Sequence, residues 1–486
     1  MGGELPERDE AFLRLALEQR ILNPGRVSLL RQEKFFYPDK SIGEIAVVKG
    51  YLAVNQMQAI YQQLEEAKQA AAAEARAAVE PQPVEPPPKS PAKESRVAAA
   101  PSAPPPPPPP IAEAAVEPPP GLEVAVLRDD SVRSFSRLQE FLGFARARQC
   151  SDLHLSSGYP PYVRRFGRFN FLDRPVMESD EVANLVFPVL SNEQRAHLQE
   201  HLNFESALDI EGQGRYRTTV IRQRLGWDAT FRVIPSRIFT VAELGLPESV
   251  LRLADYRQGM ILITGPGGCG KTTTMAAMVD YVNSSRREHI ITLERPIECT
   301  FESKKAHVTQ RQIGTHSASY ARALRAALRE DPDVILMGEM RDLETISMSI
   351  TAAETGHLIF ATLHTTTAAR TISRILDSFP PHQQPQIRTM IAESLRGIIC
   401  QQLIPRADRE GLALAYEILV VTPGISSLIR EMKIHQVASA IQTGKRLGMV
   451  RMDDSLMELL KQKAVAVEEA YVRADDKRLF APLMGK

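Results

Sequence analysis

Three short apolar runs stand out in the second half of the chain: Met260–Thr264, Val334–Met337 and Leu358–Leu363. Each is apolar at successive positions rather than at alternate ones, the pattern of strands buried on both faces of a parallel sheet. The segment after the first run reads as a helix. The start of the chain is patterned differently. Residues 9–78 read as helical, with a weak internal repeat at an offset of 30 that sets "LALEQRILNPGRVSLL" over "IAVVKGYLAVNQMQAI". The repeat pairs Leu15 with Ile45, Leu17 with Val47, Leu22 with Leu52 and Leu30 with Ile60. Each copy predicts helix, break, helix, and the Ala-rich "AKQAAAAEARAAVE" that follows is a strong helix former. Residues 79–121 interrupt all periodicity. Seven consecutive prolines, Pro104–Pro110, cannot build a core and favour extended polyproline II. This predicts a semi-rigid tether, the alternative being a docking site for a proline-reading module.

Composition narrows the picture only modestly. Lys+Arg and Asp+Glu both total 59 in 486 residues, which argues against a nucleic-acid coat or a polybasic membrane tail. The four cysteines, Cys150, Cys269, Cys299 and Cys400, are far apart, so neither a disulfide framework nor a ribbon-type zinc site is expected. With no long uncharged apolar run and no signal-peptide pattern, the expectation is a cytoplasmic chain that meets membranes through a partner or a peripheral face.

The chemistry begins directly after the first apolar run. Gly265-Pro266-Gly267-Gly268-Cys269-Gly270-Lys271-Thr272 fits G-x-x-x-x-G-K-[ST] in full. Glycines let backbone N–H groups turn inward around a β-phosphate, and the helix starting near Lys271 points its positive end at the anion. Lys271 would reach the β- and γ-oxygens, the Thr272 hydroxyl would bind Mg²⁺, and Thr273 completes the cradle. Cys269 reads as a small filler. ATP and Mg²⁺ are therefore the expected cofactors. Glu339 follows the second run at a strand end, where a carboxylate can orient or activate an attacking water. His357 and His364 flank the third run; without further His or Cys partners they do not read as metal ligands.

These segments, taken together, resemble the PilT family of type IV pilus retraction ATPases, within the wider secretion ATPases. The resemblance spans residues from about 135 to 480. It runs from "CSDLHLSSGYPPYVRRFGRF" through "HIITLERPIE", "ALREDPDVILMGEMRDLETI" and "TAAETGHLIFATLHTTTAARTISRILDSFPP" to "GISSLIREMKIHQVASAIQTGKRLGM". It implies that Glu339 is the catalytic carboxylate and that Glu294 belongs to an acidic box facing the nucleotide. His357 and His364 would frame a histidine box that senses the γ-phosphate. Arg217 and Arg232 would reach a nucleotide bound by a neighbouring subunit. Two departures stand out. The usual Glu-Asp-Pro-Ile-Glu box reads Glu294-Arg295-Pro296-Ile297-Glu298; an inward Arg295 would disturb the metal, an outward one would change little. The retraction motif reads Gly424-Ile-Ser-Ser-Leu-Ile-Arg-Glu431, keeping Ile425, Leu428, Ile429, Arg430 and Glu431.

The implied fold class is α/β, a RecA-like P-loop domain preceded by a PAS-like α/β domain, with a separate N-terminal helical domain on a Pro-rich linker. The expected boundaries are 9–78 (tandem helical), 79–121 (linker), 122–245 (PAS-like), 246–405 (RecA-like) and 406–486 (C-terminal helical). The first of these resembles the small helical domain ahead of some pilus-assembly and secretion ATPases, an adaptor that in some cases binds cyclic dinucleotides. Here the corresponding starts read "AFLRLA" and "SIGEIA". The family implies a homo-hexameric motor at the inner membrane, acting on the pilus platform protein and possibly joined by a related motor ATPase, with no nucleic-acid partner and no membrane span. The rival readings are a motor that assembles pili or secretes protein, and a non-hydrolysing accessory subunit.

Overall fold

In the computed structural model the chain divides into two compact units, 1–108 and 109–486. The structure describes residues 7–19, 21, 22, 26, 27, 30, 41–49, 51–53, 55–64 and 125–484. The proline tract and the Ala-rich stretch lie outside the described residues.

In the first unit, helices α1 (Glu7–Glu18) and α2 (Ile42–Val48) are joined by a further helical stretch, α3, over 55–64. Ser41 and Glu44 form a capping box that starts α2. Asp9 of α1 accepts the buried Ile42 N–H at 3.0 Å, so one repeat copy caps a helix of the other. Phe12, Leu13, Ala16, Ile42, Ile45 and Ala46 form the core. The repeat pairs Leu22/Leu52 and Leu30/Ile60 are buried in it, whereas of the Leu17/Val47 pair only Val47 packs against the core, Leu17 being 40% exposed.

The second unit holds two seven-stranded sheets. The first has the order β1-β4-β3-β2-β7-β6-β5, built from β1 (Ala125–Leu127), β2 (Cys150–Ser156), β3 (Tyr162–Arg165), β4 (Arg168–Leu172), β5 (Asn203–Ile210), β6 (Gly214–Gln223) and β7 (Gly226–Val233). All neighbours are antiparallel except β1 on β4. Side chains alternate between its faces. Leu153, Leu155, Val163 and Phe231 enter a core that also takes Leu138, Phe141 and Leu142 of α4 (Leu138–Ala147) and Val182 and Val186 of α5 (Ser179–Val186).

The second sheet has the order β10-β9-β11-β12-β8-β13-β14, with β8 (Gly259–Thr264), β9 (His289–Glu294), β10 (His307–Gln312), β11 (Val334–Met337), β12 (Leu358–Leu363), β13 (Leu395–Pro405) and β14 (Leu412–Val420). Its strands are parallel except for the β13–β14 hairpin. Met260 and Leu262 of β8 face one core while Ile261 and Ile263 face another, which is why all six β8 residues are buried. Helices α6 (Lys271–Ser285), α7 (Tyr320–Ala327), α8 (Leu343–Glu354) and α9 (Ala368–Asp377) supply much of these two cores. The α/β class is as expected. The stretch 406–486, expected to be helical, instead opens with β14, whose register on β13 runs from Leu412 against Pro405 to Val420 against Gly397. The alternation in "LALAYEILV" closes the sheet edge before α10 (Pro423–Arg430), α11 (Val437–Thr443), α12 (Met452–Lys461) and α13 (Val467–Arg473) follow.

Candidate functional site

The site lies where β8, β12, β11 and β9 end. After β8 the chain turns through Gly265, Gly268 and Gly270 with φ of 144°, 74° and 90°, values at which a side chain is strained. A Cβ on Gly265 would stand 2.3 Å from the Gln401 carbonyl oxygen of β13, so the loop is pressed against the neighbouring strand. Gly270 is the N-cap of α6 and offers no side-chain acceptor, which leaves the first N–H groups of this 15-residue helix to a ligand. Lys271 folds back over the loop, donating from Nζ to the carbonyls of Gly265 at 2.8 Å and Pro266 at 2.9 Å. Burial lowers its pKa, with Glu339 and Glu298 acting in the opposite direction. Cys269 is buried within the loop, as a filler should be, and burial raises its thiol pKa.

The strand carrying Glu339 is not the neighbour of the P-loop strand; β12 lies between them. His364, just past β12, therefore sits between the two. Its Nδ1 is 3.5 Å from Lys271 Nζ and its Nε2 is 2.9 Å from Glu339 Oε1. On the far side Arg341 Nη2 meets Glu339 Oε2 at 2.7 Å. Burial would raise the Glu339 pKa, but Arg341 and then His364 hold the carboxyl below its ordinary value, so it stands ionised, ready to orient or deprotonate a water. Glu294 ends the adjacent strand β9, 5% exposed, accepting from the Thr292 hydroxyl at 2.6 Å and from Gln310 Nε2 at 3.2 Å. Burial pushes it up to about 7. The Tyr320 phenol faces both Glu294 and Glu339; burial, then their charges, raise its pKa, keeping it a donor.

His357 is not at this site. It precedes β12, with Nδ1 3.0 Å from the Ala352 carbonyl and its own carbonyl bound by the Gly259 N–H at 3.0 Å. The seven-residue step to His364 along an extended strand is roughly 20 Å, so the two histidines occupy opposite edges of the sheet and only His364 faces the P-loop. Arg217 and Arg232 are cross-strand neighbours on β6 and β7. Arg217 binds Glu205 at 2.6 Å and reaches Glu298, four residues beyond Glu294, at 3.2 Å. Arg215 secures the same loop, donating to the Ile297 carbonyl from Nη2 at 2.9 Å. Arg232 is held instead by the buried Asp152 at 2.8 Å. Arg295 is exposed and has no ion pair or hydrogen bond among the described residues, yet its charge acts on the Tyr320 phenol, which lies near Glu294 and Glu339.

Sequence reasoning missed Arg341, Tyr320 and Gln401. Arg341 stands two residues past Glu339, a spacing that could have raised it as a candidate; Tyr320 and Gln401 arrive only through the packing of α7 and β13. Mg²⁺ fits the type of donor present: the Thr272 hydroxyl and the strand-end carboxylates Glu294 and Glu339 are oxygen ligands, and this ion takes few protein ligands when phosphates supply others. Among the described residues no group of three or more His, Cys, Asp or Glu could hold a metal by itself, and no helix is long and apolar enough to cross a membrane.

A P-loop between the first strand of a parallel sheet and its helix, with the strand-end carboxylate two strands away, defines a P-loop nucleoside triphosphatase fold of the RecA-like kind. The model of the type II/IV secretion system protein family matches residues 204–478, and the chain belongs to that family. The type IV pilus retraction ATPase PilT of Pseudomonas aeruginosa is 44% identical over 337 residues, 69% of this chain and 98% of that protein. The type IV pilus ATPase PilU of the same organism is 34% identical over 68% of this chain and 88% of its own length. A crystal structure of the pilus retraction motor PilT with bound ADP matches with a TM-score of 0.63 and 43% identity, covering 70% of this chain and 98% of the other. The resemblance to the retraction ATPases, first visible in the motifs, is borne out.

Proposed function

We propose that this protein is a Mg²⁺-dependent ATPase motor that powers type IV pilus retraction as a homo-hexamer. The observation that carries the reading is the row Lys271–His364–Glu339–Arg341 across three strand ends, beside a P-loop whose helix start is free of side-chain caps. Lys271 and the loop amides hold the phosphates, Thr272 helps hold Mg²⁺, and Glu339 orients the attacking water. His364 touches both the lysine and the carboxylate, so it can report on the γ-phosphate. Bound Mg²⁺ would supply neutralisation of phosphate charge. Arg217, which pairs with Glu205 and Glu298 in its own chain, would act on a neighbouring subunit's nucleotide. The relatives named for retraction, and their near-complete coverage by this chain, favour retraction over assembly.

The proposed place of work is the cytoplasmic side of the inner membrane, against the pilus platform protein, with a related motor ATPase as a possible companion in the ring. In α10, Ile425 and Ile429 are core residues, while Leu428 is only partly covered and Arg430 is exposed, which leaves the latter two available for docking. The test is enzymatic. The purified chain should hydrolyse ATP with Mg²⁺, and Glu339→Gln should keep nucleotide binding while lowering kcat by about 10²-fold or more. Unchanged turnover in that variant would remove Glu339 from the mechanism. Turnover absent in the unaltered chain, measured over a range of concentrations that allows assembly, would favour the accessory-subunit alternative.

A further inference from the structure

Gln401 touches the P-loop from two sides. On β13 it follows Cys400, which is level with Thr264, the last residue of β8. It therefore stands beside Gly265, where the loop begins, and its carbonyl oxygen is the atom that an added Cβ on Gly265 would meet at 2.3 Å. Its side chain reaches the other end of the loop. Nε2 donates to the Thr274 hydroxyl of α6 at 2.8 Å, and both residues are 1% exposed. The Thr274 N–H donates to the Gly270 carbonyl at 2.9 Å, so this hydroxyl sits on the first closed turn of the helix. One residue of β13 thus backs the start of the loop and grips the helix into which the loop runs.

Packing alone does not call for a glutamine at this position. Ile399, two residues earlier on the same face of β13, lies in a core with Ile263 of β8 and with Met275 and Met278 of α6. An amide buried in such a core loses its water, and Oε1 has no hydrogen-bond partner among the described residues. The single bond at Nε2 offsets that desolvation at best. Methionine has a similar volume and no polar atom to satisfy. Thr274 would not be stranded by the change, because a helical threonine hydroxyl can turn to the carbonyl four residues back.

We infer that Gln401 is a positioning residue for nucleotide binding: by gripping Thr274 with its side chain while its carbonyl backs Gly265, it sets the separation of the two ends of the P-loop and so the aim of the loop and helix-start N–H groups at the phosphates. The inference rests on the reading of the P-loop as the phosphate site and on no step of hydrolysis. Apolar packing holds α6 on the sheet but is non-directional, so it fixes the position of the helix along its own axis less sharply than a hydrogen bond does. Lys271 braces the same loop, from Nζ to the Gly265 and Pro266 carbonyls. That brace is given up when Lys271 turns to a phosphate, and the bond from Gln401 to Thr274 remains. ATP and ADP both carry the phosphates that these N–H groups would hold, so loss of the bond should appear in binding rather than in the chemical step.

The test is titration of the full chain with a fluorescent ADP analogue and Mg²⁺, alongside thermal melts and steady-state rates. Gln401→Met should raise the Kd at least about tenfold and the KM for ATP by a similar factor, with kcat within about threefold. Its thermal midpoint should stay within about 2 °C or rise. A residue that only supported the fold would give the opposite, a lower midpoint with KM intact. Thr274→Val removes the acceptor instead. It should lose as much affinity, with a lower midpoint because the amide is then buried without a partner. Thr274→Ser keeps the hydroxyl and should bind within about twofold of the unaltered chain, so the comparison of serine with valine carries the test if Gln401→Met folds poorly. The double variant Gln401→Met/Thr274→Val should bind no more weakly than either single one, since all three break the same bond. Unaltered affinity in Gln401→Met and Thr274→Val overturns the proposal, as do losses that add in the double variant. An unaltered chain that binds ADP and shows these losses but hydrolyses nothing would refute the ATPase reading and leave the role of Gln401 standing.

Discussion

The two sheets of the larger unit use their residues in opposite ways. In the second sheet both faces are packed, so no strand interior is free for chemistry, and the functional groups gather past the strand ends: Lys271, His364, Glu339 and Glu294. In the first sheet one face is packed and the other is polar and aromatic, so its charged residues lie along the strands. Asp152, Arg232 and Arg217 form one row across β2, β7 and β6. Strand ends allow fixed geometry within one chain. A strand face, held in place by a rigid sheet, suits presentation to something outside the chain.

The largest effects should follow from disturbing the strand-end site. Gly265→Ala places a Cβ 2.3 Å from a β13 carbonyl and 2.5 Å from Cys269 Sγ, at φ 144°. Either β13 or the loop must shift, and nucleotide affinity should fall at least about 100-fold, a loss on the order of 3 kcal/mol. At Gly267 an added Cβ meets nothing within 4 Å. Gly267→Ala should remain within about fivefold of the unaltered affinity. Titration with a fluorescent nucleotide separates the two, and equal losses would show that the loop's fit to β13 is not what sets affinity.

On the first sheet the two arginines should separate by readout. Arg217→Ala should lower kcat at least about tenfold with little loss of stability, because its partners Glu205 and Glu298 are both partly exposed and regain water. Arg232→Ala strands Asp152, whose side chain is only 5% exposed. That variant should lose about 1–3 kcal/mol of stability, seen as a lower thermal midpoint, with the smaller effect on turnover. The reverse assignment would mean that Arg232 is the residue presented to the neighbour.

Much of this was legible beforehand, for a physical reason. Val334–Met337 and Leu358–Leu363 emerged with the bounds the structure gives them because burial on both faces leaves no polar position to blur a strand's ends. The P-loop was legible because its spacing is fixed by local backbone geometry. What stayed hidden depends on contacts distant in sequence. Flanking β12 symmetrically, His357 and His364 look equivalent on paper, yet a parallel sheet puts its ligand at one edge only. β14 is hard to read in the sequence because the helices after it dominate that stretch. Gln401 carries no motif; it matters through what β13 presses against.

At Glu294 the effect on stability appears only at higher pH, and its sign is set by burial. Its pKa is raised to about 7, so between its ordinary value near 4.5 and pH 7 the folded chain binds a proton that the unfolded chain does not. This carboxyl's contribution to stability is therefore most favourable at low pH and falls as pH rises through that window. Glu294→Gln removes the dependence. It should be more stable than the unaltered chain at pH 8 by as much as ~3 kcal/mol, and by little at pH 5, while losing Mg²⁺-dependent turnover. Thermal melts at the two pH values read the first effect and steady-state rates the second. Equal stability at pH 8 would mean that Glu294 is better solvated than its burial indicates.

The smallest effect concerns the residue beside it. Arg295 stands where the resembling family has an acid, yet its side chain is exposed and makes no hydrogen bond or ion pair within the described residues. Two opposing consequences meet here. A cation next to Glu294 attracts phosphate, which favours binding, and it repels Mg²⁺, which slows turnover. Exposure screens both, since solvent and salt weaken charge interactions over distances near 10 Å. Arg295→Asp should therefore raise kcat at limiting Mg²⁺ by only about two- to fivefold, raise KM for ATP by a similar factor, and leave the rate at saturating Mg²⁺ nearly unchanged. The discriminating measurement is the Mg²⁺ dependence of turnover at low and high salt: an electrostatic effect at an exposed site shrinks as salt rises, whereas an inward-facing Arg295 would hold its effect at both. A change exceeding tenfold that salt does not reduce would place Arg295 against the phosphates in the working assembly, and would move this position from the solvent-facing rim to the strand-end site.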